Sequence, residues 1–366
     1  MKNNFSIILF IFFLNFLSVF NANSSEVFNF DVTEIEILEK GNIFLGKKGG
    51  IATSEDGTTI KALNFKYNKE LNILYAKDNV ILHDIVNNVK IYTDDITYLK
   101  NEEIIFTESF TRISNEDSII TGNSFTYKRN KNLFNGKDKV ILEDLINEVK
   151  IYTDDITYLK NEEIIFTESF TKITDKTSTM IGDQFNYERN KNIFNGSGNV
   201  EINDYEKDFT INANDITYHK NEELVFTKGK TTAKFLSKYD FKSSDVFLFK
   251  DIMELKSNQK SNLTDDNNNF YEADEFNFLI NEEILKGKNI LAITNYQKPK
   301  SDKFFFSSGI FNLSSKEFIS KDTKILLHKT LFDKERVSKI GLTDEEKEKL
   351  NRFNAKNDPR ILGVSS

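Results

Sequence analysis

Apolar and polar residues alternate with a period of two over most of the chain, and the alternation itself recurs every sixty residues. The stretch KIYTDDITYLKNEEIIFTESFT runs from Lys90 to Thr111 and returns letter for letter from Lys150 to Thr171, and a drifted copy, TINANDITYHKNEELVFTKGK, begins at Thr210. Within a copy Ile96 and Tyr98 flank Thr97, Ile104 and Phe106 flank Ile105, and the polar Lys100 to Glu103 separates the two runs. Side chains of a strand point alternately to opposite faces, so this pattern predicts two strands and a tight connection. The other half of the repeat behaves alike: Phe65 and Tyr67 recur as Phe125 and Tyr127, then as Phe185 and Tyr187. Each pair precedes a polar turn ending at Asn72, Asn132 or Asn192, and then a small residue, Ala76, Gly136 or Gly196. Asn135-Gly136 and Asn195-Gly196 predict a hairpin or bulge, where glycine accepts positive φ. DDITY and NSFTY are themselves alike, so each repeat is expected to hold about four strands.

Self-similarity of this kind implies a stack whose units cannot bury their apolar faces alone, and function is to be sought in what the stack encloses. The regular repeats cover residues 61–230. Ahead of them FNFDVTEIEIL predicts one or two opening strands, and Gly41, Gly46, Gly49, Gly50 and Gly57 punctuate short hairpins. Behind them Phe276-Asn-Phe278 followed by NEEILKG is a further half-repeat, and Phe304 to Phe306, Ile310 to Leu313 and Ile325 to Leu327 close the β region. Thr343-Asp-Glu-Glu346 is a capping box that predicts a short helix through Phe353, ended by Asn357-Asp-Pro359.

Composition supports strands: 34 Phe, 2 Pro and no Trp in 366 residues. The formal charge of −8 argues against nucleic acid, which requires a basic stripe. With no cysteine there is no disulfide framework, thiolate metal site or thiol nucleophile. Lys2 followed by the apolar run Phe5 to Phe20, with Ala22-Asn23-Ser24 before Ser25, reads as a secretory signal peptide over residues 1–24. An uncleaved anchor is the competing reading, but the run is shorter than the ~20 apolar residues of a span. Either reading places the β region, residues 25–330, outside the cytoplasmic membrane, with residues 331–366 as a polar tail.

Candidate chemistry is sparse. Asp94-Asp95 and Asp154-Asp155 would diverge to opposite faces of a strand, and their recurrence suits a structural role. His83, His219 and His328 do not fall at equivalent repeat positions. Thr264 to Asn269 lacks the ligand alternation of a calcium loop and reads as a solvated turn. No GxSxG, glycine-rich phosphate loop or HExxH occurs, so neither an enzyme nor a cofactor is expected. What remains is an aromatic and aliphatic stripe: Phe65, Tyr67, Ile96, Tyr98, Ile104, Phe106, Phe125, Tyr127, Ile156, Tyr158, Ile164, Phe166, Phe185, Tyr187, Ile216 and Tyr218. It is either an ordinary sandwich core or a trough that stays open for an apolar ligand.

The repeat resembles that of the OstA-type lipopolysaccharide-transport family, FxYxxxxNxFxGxGNVxI. Here it stands as Phe185-Asn-Tyr187, Asn192-Ile-Phe194, Gly196-Ser-Gly198-Asn199-Val200-Glu-Ile202, and less completely over Phe65 to Leu82 and Phe125 to Leu142. The opening FNFDVTEIEILEKGN and the tail NDPRILGVSS look most like the periplasmic part of the family's outer-membrane assembly member, whose barrel has no counterpart in Leu331 to Ser366. The resemblance implies an all-β, elongated repeat β-jellyroll of two antiparallel sheets, V-shaped and open in section. It implies that the sixteen stripe residues hold the acyl chains of lipopolysaccharide in a non-enzymatic periplasmic conduit associated with the cell outer membrane. It further implies that free edge strands join other jellyrolls of a transport bridge. The alternative from a different class is a secreted β-solenoid, a surface or adhesion protein with a closed core.

Overall fold

The computed structural model describes residues 28–298, 301–327 and 360–364. The expected signal peptide, the helix expected from Thr343 to Phe353 and His328 lie outside the described residues. The chain divides into two compact units, residues 1–102 and 103–366. Their described parts are all-β apart from three single-turn 3-10 segments.

The second unit shows how a repeat is built. Val149–Leu159 pairs along its length with Leu133–Asp144. On its other edge the C-terminal half takes Ile164–Thr167 and the N-terminal half takes Thr171–Thr174. These short strands pair onward with Gln184–Glu188 and Ser178–Gly182, and both arms meet again on Ile193–Asp204. Six strands therefore close a ring around an interruption in the hydrogen-bond ladder. The four passes expected per repeat are present, but two are cut in the middle, so a repeat holds six strand segments.

The interruption follows one line. In the unbroken passes the register slips between Lys137 and Val140 and between Ser197 and Val200. There Asp138 and Lys139, then Gly198 and Asn199, adopt positive φ. Two successive left-handed residues turn these strands, so each leaves one ladder and enters another, whereas Val149–Leu159 makes the same crossing with no residue at positive φ. We call ladder A the one ending in the turns at residues 129–132, 160–163 and 189–192, and ladder B the one ending at 115–117, 145–148 and 175–177. The kink re-phases the side chains so that both legs present a face to a shared interior: Phe134 and Gly136 from ladder A, Val140, Leu142 and Asp144 from ladder B. Side-chain hydrogen bonds tie neighbouring kinks, Asn123 Nδ2 to Asp138 Oδ2 at 2.6 Å and, with the roles exchanged, Asn199 Nδ2 to Asp183 Oδ2 at 3.1 Å.

Residues 28–102 follow the same plan by themselves. Phe28–Leu38 pairs with Ile43–Ser54, which pairs in turn with Thr59–Ala62 and Asn64–Asn68; both of these meet Ile73–Asp84, which pairs with Val89–Leu99. Lys48 and Gly49, and Asp78 and Asn79, make the left-handed kinks. The other edge of Phe28–Leu38 pairs with no strand among the described residues, and Ile35 and Ile37 on it are more than half exposed.

Gly136 and Gly196 do a different job from the one their sequence suggests. Neither has positive φ; the left-handed positions are Asn132 and Asn192 in the turn and the two kink residues. A Cβ on Gly136 would lie 2.5 Å from Cε1 of Phe125 in the paired strand, and one on Gly196 would lie 2.7 Å from that of Phe185. The glycines are the floor on which these rings lie. Ala76 occupies the equivalent place beneath Phe65, so one methyl is accommodated once the ring shifts. Gly136→Val is expected to cost about 1–3 kcal/mol through overpacking, with Gly136→Ala much milder, both read as urea midpoints at constant slope.

Candidate functional site

The interior between the ladders is the site. Every strand of the second unit from Ile104–Thr107 to Lys303–Asn312 contributes at least one buried apolar side chain to it. Ring stacking orders the ladder A side: Tyr127 lies 4.3 Å from Phe134 at 3° and Tyr187 lies 4.1 Å from Phe194 at 6°. Facing them are Val140, Leu142, Ile151, Ile173, Met180, Val200 and Ile202.

Twelve of the sixteen stripe residues face the interior of their own unit. In the second unit these are Phe125, Tyr127, Ile156, Tyr158, Phe185, Tyr187, Ile216 and Tyr218; in the first they are Phe65, Tyr67, Ile96 and Tyr98. All twelve are at most 5% exposed. The other four, Ile104, Phe106, Ile164 and Phe166, lie half-buried on the outer face of ladder A, and Ile105 and Ile165 take the inner positions. The hairpin register dictates this. Leu159 pairs with Ile164 across a four-residue turn, so Tyr158 stands opposite Ile165, and directly opposed residues share a face. The acid pairs serve the kink, where Asp155 Oδ1 accepts the Glu168 backbone N–H at 2.7 Å. Asp265 likewise holds a turn, accepting backbone N–H groups of Asn267 and Asn269 at 2.9 and 2.8 Å.

At the kink line the interior is bounded by buried threonines. Thr171 Oγ1 donates to Thr167 Oγ1 at 2.8 Å, and Thr167 Oγ1 accepts the Phe185 backbone N–H at 3.0 Å. Thr107, Thr111 and Phe125 repeat the arrangement, as do Thr227, Thr231 and Val246. These hydroxyls satisfy the amide left over where the ladder breaks, as a buried donor requires.

Opposite the kink line the section was expected to be open, and in each unit ion pairs span it instead. The Arg189 guanidinium, at a ladder A turn, grips the Asp144 carboxylate at the end of a ladder B strand, Nε to Oδ2 and Nη2 to Oδ1 both 3.0 Å. Its Nη1 donates to Tyr158 Oη at 2.7 Å and to Glu163, and Tyr187 Oη donates to Asp144 Oδ2 at 2.9 Å. Arg189 and Asp144 are 4% and 2% exposed. One repeat on, Lys250 Nζ sits 2.9 Å from Asp204 and donates to Tyr218 Oη at 2.8 Å. Between them Lys220 meets Asp175 at 3.2 Å, and further along Lys238 of ladder B meets Glu283 of ladder A at 2.5 Å. In the first unit Lys100 meets Asp56 at 2.6 Å. Each pair takes one partner from each ladder, so the ladders are laced by a seam of charge.

Burial would raise the Asp144 carboxyl, but the hydrogen-bonded Arg189 and Asn147 outweigh it and hold it below the ordinary carboxylate range. Asp175 is also held low, burial being overcome by backbone N–H groups and Lys220. Burial pushes the Tyr158 and Tyr187 hydroxyls up, so both stay protonated and available as donors. The arrangement encloses an apolar layer and fastens its edge with charge. The seam residues were not singled out from sequence. The signal existed: Asp144 and Asp204 lie sixty residues apart, and Arg189 and Lys250 sixty-one, with the aspartates in phase with the inward leucine or isoleucine two positions before.

No family model matches the sequence, and no curated protein matches it. Among solved structures, one similar to it is that of LptH from Pseudomonas aeruginosa, described as the LptA-homologous periplasmic component of the conserved lipopolysaccharide transport device. It is 16% identical, with a TM-score of 0.29, over 30% of this chain and 82% of that one. A likeness at that level establishes no common fold.

Removing one partner of a buried pair strands the other, so Arg189→Met is expected to cost about 3–5 kcal/mol, measured by chemical denaturation. The depressed Asp144 carboxyl stabilises the fold fully above the unfolded aspartate value of about 3.9, and that contribution is lost as the pH falls through the lower folded value. Urea midpoints should therefore be level down to about pH 5 and fall below about pH 4, with a shallower acid fall in Asp144→Asn.

Proposed function

We propose that this chain is a non-enzymatic periplasmic conduit for the acyl chains of lipopolysaccharide, built as a β-jellyroll whose two ladders shield the lipid between them. The observation that carries the reading is the unbroken apolar layer of the second unit, lined on one side by stacked aromatic rings and bounded along one edge by side chains alone. A twelve-carbon chain exposed to water would cost roughly 10 kcal/mol at ~0.8 kcal/mol per CH₂, so its passage across an aqueous compartment needs such a layer. The resemblance of the repeat to the OstA-type motif and the signal-like residues 1–24 support the same reading. The edge of Phe28–Leu38 that pairs with no strand among the described residues suits strand addition by another jellyroll of a transport bridge at the outer membrane.

A second reading is favoured by one observation. The inner side chains already fill the layer, as they would in a closed rod serving as a surface or adhesion protein. The conduit requires the ladders to part; the rod does not.

Photo-crosslinking in the native envelope separates the two. A benzophenone side chain replacing Phe125 or Phe185 should label lipid A, and one replacing Phe106 or Phe166 on the outer face should not. Equal labelling from both faces, or protein purified from its envelope without lipid A species by mass spectrometry, would leave the closed rod.

A further inference from the structure

The two long edges of the interior in residues 103–366 are held by different forces. Along the kink line every pass runs covalently from ladder A to ladder B. Along the seam only side chains cross. Turn backbone hydrogen bonds stay within ladder A, such as Arg189 N to Glu163 O at 2.9 Å and Lys250 N to Glu223 O at 2.8 Å, or within ladder B, such as Leu145 N to Asp117 O and Tyr205 N to Thr177 O, both 2.9 Å. Among the described residues none joins an A turn to a B turn. Parting the turns would break ion pairs and expose apolar surface, but would cost no backbone ladder.

The fastener is also an unusual choice. A buried ion pair is commonly no more stabilising than apolar residues of equal volume, because both charges must be stripped of water. Arg189 with Asp144, and Lys250 with Asp204, are nonetheless almost wholly buried, with the Arg189 guanidinium beside the Tyr158 ring and the Lys250 ammonium beside the rings of Phe209 and Tyr218. The lips differ as well. Ladder B carries Leu145, Ile146 and Tyr205, exposed by 48%, 71% and 62%, directly after Asp144 and Asp204. The A turns opposite are polar, with Lys160 to Glu163 facing one repeat and Arg189 to Lys191 the next.

The geometry points to a lateral gate: the seam opens latch by latch to admit the acyl chains of a phosphorylated lipid, whose phosphate replaces the Asp144 or Asp204 carboxylate on Arg189 or Lys250. This inference rests on the conduit reading. The apolar lip gives the acyl chains a first foothold outside the interior. The guanidinium passes from one forked oxyanion to another, and the displaced carboxylate gains water at the opened lip, so no charge is left buried and unpaired. An apolar seam would hold the ladders together equally well and would offer the headgroup nothing.

The test uses the full chain with phosphatidylcholine vesicles carrying hexa-acylated, bisphosphorylated lipid A, and follows protein-bound lipid by gel filtration and mass spectrometry. Asp144→Leu with Arg189→Met, Asp204→Leu with Lys250→Met, and the four substitutions together give an apolar latch. Expected are thermal midpoints at or above that of the unsubstituted chain and loading at least tenfold slower with all four substitutions. Should that chain fail to fold, the Asp204→Leu, Lys250→Met pair makes the same comparison, expected to load about threefold slower. Dephosphorylated lipid A should load slowly into the unsubstituted chain. Apolar-latched protein that loads at the unsubstituted rate overturns the gate and leaves the conduit standing. An unsubstituted chain that takes up no lipid A overturns both, and loading abolished by millimolar inorganic phosphate overturns the gate in favour of a free-anion site.

Discussion

One constraint governs the architecture: each pass of the chain must bend once so that its two legs serve facing ladders, and in every second unbroken pass of the regular repeats the bend is made at two consecutive left-handed residues. An L-residue enters that region at a steric cost, and the chain meets it with Asp138-Lys139, Asp78-Asn79 and Gly198-Asn199. The bend breaks the hydrogen-bond ladder, and the unmet backbone groups have to be satisfied inside. Hence the buried pairs Thr107 with Thr111 and Thr167 with Thr171, and hence the Asn and Asp bridges between adjacent kinks. Because one edge of the interior is thereby covalent, the opposite edge is the only place where the ladders must be joined by other means. The seam of ion pairs is that join.

Much of this was legible in the sequence, and the limits have physical causes. Strand content, repeat length and the inward placement of Phe125, Tyr127, Ile156, Tyr158 and their equivalents follow from period-two alternation, because bulky residues on alternate positions leave little choice of inner face. The run Ile104-Ile105-Phe106 has no such contrast, since all three positions are apolar. Size favours Ile104 and Phe106; register favours Ile105, and register wins because Leu159 to Ile164 spans a fixed four-residue turn. The glycines misled differently. Positive φ is the commonest reason for a glycine beside a turn, yet Gly136 is required by the ring of Phe125, a residue eleven positions away that reaches it only through strand pairing. A long-range steric demand leaves no local trace. The seam was legible in principle, as charges recurring at the repeat period in the phase of buried residues, but alternation arguments rank a lone Asp at a strand end as solvent-facing.

The seam also bears on how stability is distributed. Apolar burial and ring stacking are spread evenly across the repeats, so the interior alone would favour no particular place to open. Charge pairs concentrate the vulnerability along one line, since each is stable only as long as both members stay together. The tyrosines sharpen this. Tyr158 and Tyr187 place their rings in the apolar layer and their hydroxyls on Arg189 and Asp144, so displacing either ring would also withdraw a hydrogen bond from the ion pair. Interior and seam are thus mechanically coupled through the same two side chains.

The filled interior and the seam meet at the tips of the tyrosines. Tyrosine in place of phenylalanine is sustained at these buried positions because the hydroxyls are paired, Tyr158 with Arg189 and Tyr187 with Asp144. Phe134 and Phe194, stacked against those same tyrosines, show that the layer accepts phenylalanine freely. The polar tips stand only in the row next to the seam, on Tyr127, Tyr158, Tyr187 and Tyr218, while the row next to the kinks carries Phe125, Ile156, Phe185 and Ile216. A hydroxyl row confined to the seam edge gives that side-chain closure hydrogen bonds that phenylalanine could not supply, because each ring ends beside an ion pair.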